Sequence, residues 1–158
     1  MQSLVVYYSR TGNAKFVAEK IAAELKADTE EVIDLKNRRG WFGFIRGGYD
    51  ATRNKETKIE KTQKLPKDYD LIVVGTPVWN SRVTPAIRTY LKGQDFSGKK
   101  VSIFSTNEGR GTDKTFSMMK SLIQHGTVVG EIGISKALDD REKTESKILY
   151  WCSNLKSV

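Results

Sequence analysis

The sequence predicts an α/β fold, a parallel sheet wound on both faces by helices. Short, nearly continuous apolar runs alternate with segments of helical periodicity. Such runs suit strands buried on both faces, as parallel strands are. Nothing repeats, no tract is of low complexity, and the 158 residues are the length of one domain, taken here as 1–158.

The elements follow in order. Leu4-Val5-Val6-Tyr7-Tyr8 is the first strand, and Ala14, Val17, Ala18, Ile21 and Leu25 then share one helical face. Glu31–Leu35 is a weaker strand, expected near an edge. Residues 36–64 break the rhythm, because Gly40, Gly43, Gly47 and Gly48 interrupt Trp41, Phe42, Phe44, Ile45 and Tyr49; an irregular helix over 41–53 is expected. Leu71–Gly75 is the third strand. Thr84-Pro85 reads as a helix cap with proline at the first helical position, followed by Ile87 and Leu91. Val101–Phe104 is the fourth strand. A helix with Phe116, Met119 and Ile123 on one stripe follows, with Asp113 as its expected cap and Gly126 as its expected stop. Val128–Ile134 is the fifth strand, near an edge. Asp139-x-x-Glu142 predicts a capping box for a last helix carrying Ile148, Trp151, Cys152 and Leu155. Strands joined through helices require right-handed crossovers, hence a doubly wound sheet.

Charge is the unusual bulk property. The net charge is +8, and residues 36–64 hold nine Lys and Arg against Asp50, Glu56 and Glu60. The plain reading of that segment is a solvated face; the sharper one is a docking patch for an acidic partner, a nucleic acid or an anionic surface. No stretch is apolar for the length of a membrane span, and the amino-terminal residues read as a strand rather than a signal peptide. A lone Cys152 makes no internal disulfide, which places the expected location in the cytosol. Cys152 and the single His125 are too few for a metal site, so no metal residue is assigned.

The chemistry gathers at three strand ends. Ligands of open parallel sheets bind beyond the carboxyl ends of strands where the winding reverses. The first strand stops at Ser9-Arg10-Thr11-Gly12-Asn13, just ahead of a helix. Backbone N–H groups before a helix start bind anions, Ser9 and Thr11 add hydroxyls, Gly12 permits the turn, and no acid intrudes. The sequences GxxxxGK[ST] and GxGxxG are both absent, which argues against nucleotide hydrolysis and a dinucleotide fingerprint. The third strand runs into Gly75-Thr76-Pro77-Val78-Trp79-Asn80-Ser81, with an aromatic plane. The fourth runs into Ser105-Thr106-Asn107-Glu108-Gly109-Arg110-Gly111-Thr112, rich in glycine. A phosphate cup, a stacking ring and backbone donors describe a site for a phosphorylated planar ring system.

The stretch Ser9-Arg10-Thr11-Gly12-Asn13 resembles the phosphate loop of the flavodoxin family, and the order and length of the elements are similar along nearly the whole chain. The resemblance implies a three-layer fold with a five-stranded parallel sheet in the order 2-1-3-4-5, FMN bound without a covalent bond, and electron transfer. Carried over by position, Ser9, Thr11, Asn13 and the amides of Arg10, Gly12 and Ala14 hold the FMN phosphate. Thr76, Pro77, Val78, Trp79 and Asn80 lie against the ring, with Trp79 stacked, and Thr106, Asn107, Glu108, Gly109 and Gly111 approach its pyrimidine edge. This chain departs from the pattern at Ala14, where the family carries a hydroxyl, and in its third loop, which lacks an aromatic residue. One flavin face is then open to a substrate or partner, or is covered by Trp41 or Phe42.

The expected role is an electron carrier for a redox partner protein, an acidic one suiting so basic a chain. The alternative is an oxidoreductase whose open flavin face reduces a quinone or similar small molecule. In both, the cofactor carries the redox chemistry, so no catalytic side chain is assigned. Arg82 and Arg110 near the site are expected to favour the reduced, more negative cofactor. A reading of another class is a non-redox module that binds nucleic acid or an anionic surface through residues 36–64; nucleic acid is the less expected partner, and steep salt dependence would mark it.

Overall fold

A computed structural model describes residues 1–38 and 40–157. Among them, five strands, β1 (Ser3–Tyr7), β2 (Asp28–Glu31), β3 (Leu71–Pro77), β4 (Lys100–Asn107) and β5 (Thr127–Ser135), form one sheet in the order β2-β1-β3-β4-β5. Every neighbouring pair is parallel. The helices are α1 (Asn13–Leu25), α2 (Gly40–Thr52), α3 (Pro85–Gly93), α4 (Thr112–Leu122) and α5 (Arg141–Leu155).

The two faces of the sheet follow from strand alternation. Val5, Tyr7, Leu71, Val73, Phe104, Ile132 and Ile134 point to one side and pack with Val17 and Ile21 of α1 and Trp151 and Leu155 of α5. Leu4, Val6, Ile72, Val74, Val101 and Ile103 point to the other and pack with Ile87 and Leu91 of α3 and Phe116 and Met119 of α4. Tyr7 stands opposite Gly75, Gly75 opposite Phe104, and Phe104 opposite Ile132. A Cβ at Gly75 would overlap the Phe104 ring, so glycine is what lets this buried ring cross β3.

β2 differs from its expected place. It ends at Glu31, whereas Glu31–Leu35 was the expected run. Its pairing with β1 (Val6 opposite Glu30) fixes the span, and the chain then leaves the sheet, Asp34 bridging antiparallel to Ile59 instead. Its exposed Asp-Thr-Glu-Glu suits an edge strand, where charge discourages further pairing.

Four expected helix-end signals also resolve differently. α4 is capped by Gly111 at φ +88°, so Asp113 lies inside the first turn and does not cap. α4 ends at Leu122, and Gly126 does not stop it; there a Cβ would press on Phe96, Val101 and Ile123, so glycine serves close packing. α5 is capped by Asp140, which accepts from Lys143 N–H, one residue beyond the expected box. The Thr84 hydroxyl does not cap α3 either, being paired with Thr76.

α2 forms over almost the expected residues despite four glycines, which together cost about 4 kcal/mol relative to alanine. Close approach offsets that cost. Gly43 lies against the backbone of Arg38, and a Cβ on Gly47 would stand 2.7 Å from Trp79 Cζ3. With Ala51, these residues recur every four positions and form the buried face, while Trp41, Phe42, Phe44, Ile45 and Tyr49 stay exposed.

Candidate functional site

The strand register brings the three turns to one edge: β1 ends opposite Gly75, and Pro77 stands opposite Thr106. In the first turn, Gly12 adopts φ +93°, a conformation a side chain would strain. Its N–H donates to Ser9 Oγ at 3.2 Å, and Asn13 Nδ2 donates to Thr11 Oγ1 at 3.2 Å. Both hydroxyl oxygens are thus engaged as acceptors, which leaves their protons for a guest. Asn13 Oδ1 accepts from Leu138 N–H and pins the start of α1 to the segment before α5. No side chain caps α1, and its first turn holds no acid. The donor set therefore fits an acceptor-only anion such as a phosphate monoester. Ala14 turns its methyl into the core, where a hydroxyl would need a partner.

The Arg10 side chain faces away from this cup. Its Nε donates to Arg38 O at 3.0 Å, its Nη2 to Gly40 O at 3.3 Å, and its guanidinium lies 5.1 Å above the Phe44 ring. It is a strut between the first turn and α2.

The second turn is a tight reversal. Trp79 and Arg82 exchange backbone hydrogen bonds of 3.1 and 2.9 Å, and Asn80 and Ser81 both take positive φ, 49° and 58°. This is the primed geometry that usually selects Asn and Gly. Val78 N–H donates to Thr106 O at 2.8 Å, joining the second turn to the third. Trp79 meets Tyr8 edge to face at 5.7 Å and rests against Gly47. Burial, then Asp34, pushes the Tyr8 phenol up to about 12, against Arg38 and Arg10. Thr76 is fully buried and bonded to Thr84 and Pro77 O, so its side chain fixes the turn rather than facing a guest.

In the third turn Asn107 is the organiser. Its Oδ1 accepts from Gly109 N–H and Ser135 Oγ, and its Nδ2 donates to Thr112 Oγ1. Asn107 and Thr106 are buried, while Glu108, Gly109 and Arg110 are exposed. A Cβ at Gly111 would meet Ser81 Oγ at 2.7 Å, so the second and third turns touch.

Between these turns and α2 opens a cleft of about 1100 Å³. Of the candidate ring-side residues, Val78, Trp79, Asn80, Glu108 and Gly109 line it, together with Ser81, Arg110, Phe44, Ile45 and Gly48. The cup of Ser9–Asn13 lies along the same rim, linked to the cleft by Arg10 on Phe44 and Tyr8 on Trp79. Arg82 turns toward Met118 of α4, so only Arg110 of the two expected cations faces the cleft.

α2 is fastened by ions. Arg38, within the basic run expected to be a solvated face, is 5% exposed; its Nε donates to Asp34 at 3.0 Å and its Nη1 to Asp50 at 2.8 Å. Lys36 and Lys55 each approach Asp50 at 3.6 Å. Burial pushes the Asp50 carboxyl up, but the Arg38 hydrogen bond and the charges of Lys36, Arg38 and Lys55 outweigh it and hold it below its ordinary value.

The flavodoxin family model matches residues 49–155, about two thirds of the chain. The chain belongs to the flavodoxin family. That span includes the second and third turns of this flavodoxin and stops short of the first. The chain is 29% identical over 101 residues to an FMN-dependent NADH:quinone oxidoreductase of Staphylococcus carnosus, and the match spans 48% of that relative. Among solved structures, it resembles a flavoprotein in complex with FMN from Lactobacillus acidophilus (24% identity, 95% of this chain and 97% of that one, TM-score 0.72). It also resembles a Bacteroides uniformis flavoprotein (20% identity, 93% and 97% covered, TM-score 0.77). Both show the fold that the strand order had already established.

The contributors that sequence reading missed lie on α2 and around it. Phe44 and Ile45 wall the cleft in place of Trp41 and Phe42, and the four-residue recurrence of Gly43, Gly47 and Ala51 is the signal that sets which face turns outward. Arg38 has only Asp34 nearby in sequence, and its second partner, Asp50, lies twelve residues on.

Proposed function

We propose that this flavodoxin binds FMN along the three turns and passes electrons to and from a partner. The observation that carries the reading is the cup of Ser9–Asn13, whose hydroxyl protons and helix-start amides suit a phosphate, on the same rim as the Trp79 cleft. When bound, FMN supplies one- and two-electron chemistry. This chain's residues do the holding. Ser9, Thr11 and the amides of Arg10, Gly12, Asn13 and Ala14 grip the phosphate. The Thr76–Asn80 turn presents Trp79 and its backbone, and the 106–111 turn presents backbone donors held by Asn107. Arg110 favours negative charge on the cleft's guest, and Glu108 opposes it. Gentle purification should yield a yellow protein, and mass analysis of what heat releases should identify FMN; a colourless protein that takes up no added FMN contradicts the reading.

A second reading is reduction of a small quinone. It is supported by the apolar wall of Phe44 and Ile45 facing the cleft and by the name of the S. carnosus relative. Turnover of NADH with a soluble quinone by the FMN-loaded protein alone supports it, and dependence on a separate reductase supports the carrier. Among the described residues no helix is long and apolar enough to cross a membrane. A reducing cytosol suits the buried Cys152, whose thiol burial pushes up to about 12.

A further inference from the structure

Helix α2 presents to solvent what most helices bury. Trp41 is 71% exposed, Phe42 86%, Phe44 53%, Ile45 52% and Tyr49 50%. They form a continuous surface, Trp41 and Phe44 stacking at 6.2 Å. A helix with four glycines in thirteen residues keeps these rings outward at a cost in helix stability, and α2 is held in that pose by the buried Arg38 ion pairs and the Arg10 strut.

Cations accompany the rings. Arg10 lies on Phe44, and Arg53 and Lys55 lie 5.2 and 5.0 Å from the Tyr49 ring centre. Arg46 is exposed on the same helix. Among the described residues no carboxylate is within ion-pair distance of Arg46 or Arg53. Aromatic residues with arginine are the composition of protein interface cores and their hot spots, and the guanidinium fork matches a carboxylate. A lipid surface fits less well, because Phe44 and Tyr49 already carry cations that hold them at headgroup depth, which leaves only Trp41 and Phe42 to enter the acyl boundary.

We propose that α2 is the docking surface for a small acidic redox protein, which seats apolar contacts on Trp41, Phe42 and Tyr49 and carboxylates on Arg46 and Arg53. The geometry brings such a partner to the cofactor, since the same helix walls the cleft with Phe44 and Ile45. Two donor molecules each lose one electron for each FMN that gains two, and the accompanying protons come from water. The inference rests on the FMN reading proposed above.

The test uses the full-length protein loaded with FMN, and a reduced plant-type ferredoxin, a small acidic [2Fe–2S] protein, as the probe. Failure to retain FMN sinks the underlying reading before any docking is measured. With FMN bound, stopped-flow reduction by the probe at low salt is expected to slow about tenfold in the Arg46→Glu/Arg53→Glu variant, a difference that high salt abolishes. Phe42→Ser, which leaves charge unchanged, is expected to slow it about threefold at any salt. Lys67→Glu, in the turn just ahead of β3 at the amino ends of the strands, is expected to have little effect, and dithionite is expected to reduce all variants alike. Unchanged rates in the α2 variants overturn the inference. So does an equal loss in Lys67→Glu, which would mark a general field rather than a surface. Arg-dependent binding to phosphatidylglycerol vesicles with no effect on the probe would assign the patch to lipid and overturn it as well.

Discussion

The first turn and helix α2 face the same rim but are built in opposite ways. The turn is local: Ser9, Thr11, Gly12 and Asn13 make their hydrogen bonds mostly to one another, and its shape follows from five consecutive residues. Helix α2 is non-local. Its glycines would be liabilities in isolation, and it stands because Arg38, itself held by Asp34, grips the helix's own Asp50, while Arg10 and Trp79 reach it from elsewhere in the chain. Anion chemistry can be written in a motif, whereas the wall of a cleft has to be assembled.

If α2 depends on its ion pairs, breaking them has the largest effect. Asp50→Ala leaves the Arg38 guanidinium buried with one partner fewer, and a loss of about 3–5 kcal/mol is expected in urea unfolding. Next is the contact beneath Trp79. Gly47→Val pushes into the ring, and FMN affinity is expected to fall about tenfold, near 1.4 kcal/mol, with a smaller change in thermal midpoint. An affinity that moves only in proportion to stability would show that Gly47 merely holds the helix.

A pH series sharpens the same contrast. The Asp50 carboxyl is held below its ordinary 3.8, so its stabilisation is complete above that value and is lost as pH falls through the lower folded one. The stability gap between the protein and Asp50→Asn is therefore expected to be flat at neutral pH and to close below about pH 4 in urea midpoints. A gap that instead closed above neutrality would contradict the ion-pair account. The smallest effect is in the second turn, where Ser81 holds φ 58°. Ser81→Gly relieves that backbone and is expected to add up to about 1 kcal/mol in the same assay.

Legibility in the sequence follows this division. The central strands could be read because both of their faces are buried, and Leu4–Tyr8 and Leu71–Gly75 are accordingly apolar throughout. The Ser9–Asn13 turn could be read because it is contiguous. β2 could not be bounded, because its span is set by pairing with β1 and its own residues are polar. The cap of α5 fell one residue off, since Asp139 and Asp140 are chemically alike and only the backbone decides between them. Arg38 looked like part of a solvated run until Asp34 and Asp50 came to it in three dimensions. Phe44 and Ile45 were hidden among five exposed apolar side chains, because only packing against Trp79 shows which of them line the cleft.

The most direct measurement is a pair of fluorescence titrations of the chain freed of bound flavin, one with FMN and one with riboflavin, repeated on Thr11→Ala. A phosphate grip by Ser9–Asn13 predicts that FMN binds far more tightly than riboflavin. It also predicts that Thr11→Ala weakens FMN by about 1.5–3 kcal/mol and leaves riboflavin nearly unchanged. Equal affinity for the two flavins, or equal losses for both in Thr11→Ala, would contradict it.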